Sequence, residues 1–154
     1  MAFVAAFSES QSPVTPMTHI KTPTILVFDS GLGGLSVFRE VARARPDAGF
    51  IYAADDAAFP YGDLTDDALV ARVGEVMDEL VARTAPDLVV IACNTASTVV
   101  LPCLRARHPI PFVGTVPAVK PACAASLTRR VSILATPGTV RRDYTSELVR
   151  TFAQ

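Results

Sequence analysis

Cys93 closes the apolar run Leu88 to Ala92 and opens the polar triplet Cys93-Asn94-Thr95 ahead of a helical stretch. A thiol at a helix N-terminus meets free backbone N–H groups and the positive end of the helix dipole. In favourable cases that lowers its pKa from ~8.5 into the range ~3.5–7.5. Its thiolate then serves as a nucleophile or a base. The other reading is a small core hydrophobe, since cysteine is among the residues most often fully buried. Asn94 and Thr95 weigh against it, because they add polar donors that a core cysteine does not need. Asp29-Ser30 also has two readings. Both residues favour caps and turns, and a carboxylate on the same rim as a cysteine can tune it. Tyr61-Gly62 is either a plain turn or a source of backbone donors for a ligand.

Other chemistries fit poorly. Gly31-Leu-Gly33-Gly34 lacks the GxGxxG spacing of a dinucleotide site and a ribose-binding acid about 20 residues on. It reads as a tight strand-to-helix connection. No Gly-Lys-Ser/Thr exists, which excludes a P-loop. The two lysines, Lys21 and Lys120, offer no context for a Schiff base. Three cysteines without a CxxC pair and two histidines, His19 and His108, argue against a disulfide framework and a zinc site. Reduced thiols fit a cytoplasmic protein.

The elements that must carry these residues follow from pattern. At 154 residues, half hydrophobic, the chain is long enough to bury a core. A net charge of -1 leaves no basic footprint for nucleic acid. No apolar run reaches the ~18 residues of a membrane span. Residues 1–23 read as a loose arm without a secretory signal. Strands are expected at Thr24–Phe28, Phe50–Ala53, Asp87–Ala92, Pro111–Val113 and Val131–Ala135. Helices are expected at Leu35–Ala44, from Thr65 as N-cap towards Pro86, at Ala96–Arg107 with Pro102 a kink or a moved start, at Val116–Ser126 and at Thr139–Phe152. This alternation implies an α/β fold, a mostly parallel sheet with helices on both faces. Ligands then sit beyond the carboxyl ends of the strands. Asp29-Ser30-Gly31, Cys93-Asn94-Thr95 and Thr136-Pro137-Gly138 all lie there, each before a helix N-terminus that favours anions.

Five segments in order resemble the glutamate racemase family of the aspartate/glutamate racemase superfamily. They are Val27-Phe-Asp-Ser-Gly-Leu-Gly-Gly34, Pro60-Tyr-Gly62, Ala92-Cys-Asn-Thr-Ala-Ser97, Val116-Pro-Ala-Val-Lys-Pro121 and Leu134-Ala-Thr-Pro-Gly-Thr139. The resemblance implies interconversion of L- and D-glutamate without a cofactor, supplying D-glutamate for peptidoglycan. Two cysteines on opposite faces of the substrate exchange its α-proton. Cys93 matches the first, with Asp29 placed to assist it. Asp29, Ser30, Tyr61, Gly62, Asn94 and Thr95 match substrate contacts, and Thr136 and Thr139 lie in a motif near the site.

The resemblance also implies two similar α/β domains. Here residues 24–115 correspond to most of the opening portion of the first, left incomplete, and 116–154 to the start of the second, so the fold is expected to be truncated. The family's second cysteine lies in a Gly-Cys-Thr-His segment that this sequence does not contain. Three readings follow: a racemase acting on glutamate, a racemase acting on another amino acid such as aspartate, and a binding or interaction module that cannot invert its ligand. A partly built second domain leaves apolar surface and strand edges that favour association into a homo-oligomer.

Overall fold

The computed structural model describes residues 3–7, 21–128, 130–136, 139–140 and 143–152. A five-stranded sheet forms its centre, in the order β1-β3-β2-β4-β5. The strands are β1 (Phe3–Phe7), β2 (Thr24–Asp29), β3 (Gly49–Ala54), β4 (Leu88–Ile91) and β5 (Phe112–Gly114). β3, β2, β4 and β5 run parallel, so their carboxyl ends share one rim. Register places Asp29 opposite Ala54, and Phe28 opposite Ile91. β1 pairs antiparallel with β3, from Phe3 opposite Ala54 to Phe7 opposite Phe50.

That strand corrects the reading of residues 1–23 as a loose arm. β3 would otherwise be an open edge with unpaired backbone groups, and the run Phe3-Val-Ala-Ala-Phe7 is apolar enough to pair with it. The rest of the expected arm, residues 8–20, lies outside the described residues.

The central strands β2 and β4 are buried on both faces, as their continuous apolar sequences require, while β5 leaves Val113 exposed. On one face lie α2 (Asp66–Thr84), α3 (Asn94–Ser97) and α4 (Leu101–Arg107). There Leu69, Val73, Val76, Met77 and Leu80 of α2 join Leu26, Phe28, Val89, Ile91 and Cys93 in one core. Each large apolar side chain buried in this way contributes roughly 1.5–3 kcal/mol. The other face is covered by α1 (Leu35–Ala44), whose Val37, Phe38 and Val41 pack on Ile25, Val27, Tyr52 and Val90. Thr65 caps α2 as expected, accepting from the Ala68 N–H.

Two helical expectations shift, and the last helix is described in two pieces. The stretch Ala96–Arg107 divides into α3 and α4, with Pro102 in the first turn of α4, where its missing N–H costs nothing. α5 (Val119–Ala125) starts two residues after Pro117 rather than containing it. The last helix is described at Thr139–Val140 and as α6 (Asp143–Phe152); residues 141–142 lie outside the described residues.

The strand expected at Val131–Ala135 does not form. Its composition suits a strand, but β-structure needs a neighbouring ladder, and no described strand lies alongside. Leu134 is left fully exposed. The turn expected at Thr136-Pro137-Gly138 is described only at Thr136.

Candidate active site

Two parallel strands deliver the first pair of side chains to the rim. β2 ends at Asp29 and is followed by Ser30, and β4 is followed by Ala92 and Cys93. Cys93 is 7% exposed, and its Sγ lies 3.7 Å from Ser30 Oγ. Its carbonyl accepts from the Ser97 N–H, which makes it the N-cap of α3. Burial pushes the Cys93 thiol above its ordinary pKa. Hydrogen bonds from the Ala96 N–H, the Ser30 hydroxyl and the Ser30 N–H pull the other way, and the negative charge of Asp29 adds to the rise. The net direction is upward, against the lowering that a helix N-terminus allows in favourable cases. α3 spans four residues, too few to align a dipole strong enough to offset desolvation.

Asp29 closes a turn and lies close enough to Cys93 for its charge to be felt there. Its Oδ2 accepts from the Gly34 N–H at 2.7 Å, at the turn into α1. Gly34 is required there by close approach. A Cβ would lie 2.7 Å from Asp29 Cβ and 2.9 Å from Ala92 Cβ. The glycine-rich turn thus brings α1 down onto the Asp29 side chain. Beneath it, the Tyr52 hydroxyl donates to the Gly31 carbonyl at 2.7 Å, and burial pushes the phenol up to about 12.

A chain of hydroxyls forms the second wall. Thr95 Oγ1 lies 3.4 Å from Thr136 Oγ1, which lies 3.0 Å from Thr139 Oγ1. Gly62 packs on Thr136, where a Cβ would meet Thr136 Cγ2 at 2.9 Å. Asn94 is exposed and lines a cavity of about 280 Å³ with Pro117, Ala118, Val119 and Thr139. The contacts thus form two groups, Ser30 with Cys93 beside Asp29, and Thr95, Gly62 and Thr139 around Thr136, with Asn94 and Thr139 at the cavity.

Tyr61 is placed differently. Its side chain is 1% exposed within the core, and its hydroxyl donates to Asp55 Oδ2 at 2.7 Å. Burial and the Asp55 charge push its pKa up. Its buried hydroxyl is therefore occupied by Asp55. Sequence reasoning missed Asp55 and its partner Arg72, which donates to both carboxylate oxygens at 2.8 and 2.5 Å. Asp55 reads as a loop residue and Arg72 as a polar position on α2, so no motif signals the pair. Ser97 was also missed; its hydroxyl bonds the Ile91 carbonyl and accepts from the Thr115 N–H. Lys120 lies apart, over the ring of Phe152. Among the described residues no three His, Cys, Asp or Glu side chains converge as a metal site. No helix among them is long and apolar enough to cross a membrane.

The family profile described as Asp/Glu/Hydantoin racemase matches residues 25–153. The chain belongs to this racemase family. It is 57% identical over 130 residues to the glutamate racemase of Brucella anthropi, covering 84% of this chain and 47% of the relative. With the glutamate racemase of Vibrio cholerae it shares 53% over 137 residues, 89% of this chain and 51% of the relative. Its structure resembles that of Escherichia coli glutamate racemase in complex with L-glutamate and the activator UDP-MurNAc-Ala. The TM-score is 0.82 at 50% identity, over 86% of this chain and 50% of that one. The Aquifex pyrophilus glutamate racemase superposes with a TM-score of 0.75 at 30% identity, over 83% and 51%. The chain thus spans about half the length of the curated relatives it matches.

Proposed function

We propose that the chain carries the Cys93 half of a cofactor-independent glutamate racemase of peptidoglycan supply, acting in the cytoplasm. The observation that carries this reading is the contact of Cys93 Sγ with Ser30 Oγ at 3.7 Å, on a rim also lined by Asp29, Thr95 and Thr136. The E. coli relative's complex with L-glutamate supports glutamate as the ligand. Residues 24–115 supply this wall and 116–154 begin the facing one.

The reaction removes the α-proton of glutamate and returns a proton to the opposite face. Cys93 takes the proton onto sulfur, and the electron pair left on Cα spreads into the α-carboxylate. That charge must be stabilised where it develops, and the N–H groups at the strand ends and the Thr95 and Thr136 hydroxyls suit the task. Burial favours the thiol form of Cys93 in the ligand-free site, so its proton must pass to solvent before the sulfur can act as the base. The ammonium group of bound glutamate brings positive charge beside it and favours its thiolate. Inversion needs a second base on the far face. The Gly-Cys-Thr-His segment that the resemblance implies for it has no counterpart in the sequence.

The test is proton NMR of each glutamate enantiomer in heavy water with the purified chain. We expect loss of the α-proton signal from one enantiomer, no growth of the other, and no exchange of either in Cys93→Ser. Exchange retained in Cys93→Ser would overturn the assignment of the base. Inversion by the chain alone would show that a second base is present among its residues. Saturable glutamate binding without exchange would favour the non-catalytic binding module.

A further inference from the structure

Asp55 stands at a junction of the site that the proposed reaction does not itself use. Its backbone N–H donates to the Asp29 carbonyl at 3.0 Å, extending the β2–β3 ladder one step past the strand ends. Its side chain is fully buried, and both carboxylate oxygens are engaged. Oδ2 accepts from Tyr61 and from Arg72 Nε, and Oδ1 from Arg72 Nη2. One residue thus ties the Asp29 segment, the Tyr61–Asp63 turn and α2 together.

We propose that Asp55 and Arg72 are positioning residues that hold the Tyr61–Gly62 turn against Thr136 on the rim of the glutamate site. This rests on the proposed glutamate reading. Burying a carboxylate is costly, and apolar packing could anchor a turn more cheaply. A charged, forked set of hydrogen bonds instead fixes direction as well as distance. Direction matters at Gly62, whose Cα carries no side chain and packs tightly on Thr136. Thr136 in turn meets Thr95 and Thr139. Movement of the turn therefore passes to the hydroxyls that line the site.

The test combines amide hydrogen exchange of the full chain with titration by L-glutamate followed by NMR. In Asp55→Asn and Arg72→Gln, amides of residues 61–64 should exchange about tenfold faster, while those of β2 and β4 hold their protection. Glutamate affinity should fall by about tenfold, the equivalent of the same free energy. Arg72→Lys should recover part of both, since it keeps the charge and loses the fork. Tyr61→Phe, which leaves the ion pair in place, should give a smaller acceleration at the same amides and keeps the proposal testable if the charge variants fail to fold. Equal acceleration throughout β2 and β4 would make the pair a general stabiliser and overturn the proposal, as would a loosened turn with unchanged affinity. If the unaltered chain binds no glutamate, the glutamate reading fails, and the positioning role in that site falls with it. Exchange at residues 61–64 still reports whether the pair anchors the turn.

Discussion

Cys93 shows how far a residue type and its neighbours can be read, and where that reading stops. Its place at the end of a buried strand, before two polar residues, was legible because β4 is a continuous apolar run. Its titration was not, since spacing gives neither the depth of the thiol nor the length of the helix after it. In the structure burial dominates, the hydrogen bonds from Ala96 and Ser30 offset part of it, and Asp29 adds repulsion. The signs yield a test. Alkylation of Cys93 by iodoacetamide, followed on its own peptide by mass spectrometry, should show a pH midpoint above the ~8.5 of an ordinary thiol. Asp29→Asn should lower that midpoint by removing a nearby negative charge. Ser30→Ala should raise it by removing a hydrogen bond to the thiolate. A midpoint below that of an ordinary thiol in the ligand-free chain would mean that the short helix outweighs burial after all.

Among the elements, α2 was the most legible and still carries one feature its sequence hid. Its apolar stripe and Thr65 cap follow from period and capping chemistry. Its far end is closed by Ala85 at φ 42°, a left-handed conformation that usually falls to glycine. The following Pro86 made a stop there visible, but not the backbone conformation that makes it. The β-strands divide in the same way. β2 and β4 were legible because burial on both faces needs only local composition. β1 depends on an open edge of β3, and the missing strand at Val131–Ala135 on a ladder that no described strand supplies. Local sequence specifies a strand only when a partner is at hand. Ala85→Gly should relieve the strained cap and stabilise the fold by about 1 kcal/mol, seen as a rise of roughly 2–4 °C in Tm. A fall in Tm would mean that the greater freedom of glycine in the unfolded chain outweighs the relief.

On the scale of the whole molecule, burial is uneven, and the rim spans the difference. The sheet and its helices hold nearly all the fully buried side chains, from Ile25 to Phe112. Beyond β5, α5 and α6 leave Leu127 and Leu134 fully exposed and Val131 and Val140 partly so. Among the described residues this region has few buried groups, Val119, Thr139 and Thr145, with the Thr145 hydroxyl donating to the Thr139 carbonyl at 2.6 Å. The Thr136–Thr95 contact joins it to the rim. Segments with exposed side chains and no secondary structure open first and are cut first. Limited chymotrypsin digestion should therefore cleave after Leu127 and Leu134 before any bond between Thr24 and Gly114. If L-glutamate bridges Cys93 on one wall and Thr136 on the other, its addition should slow those cuts through the binding free energy added to the closed form. Slowing that disappears in Thr136→Ala but survives in an exposed control such as Lys120→Ala would place the ligand across both walls. Cuts that ignore glutamate, in a chain that NMR shows to bind it, would confine the ligand to the β2–β4 side. Residues 116–154 would then be a neighbour of the site rather than a wall of it.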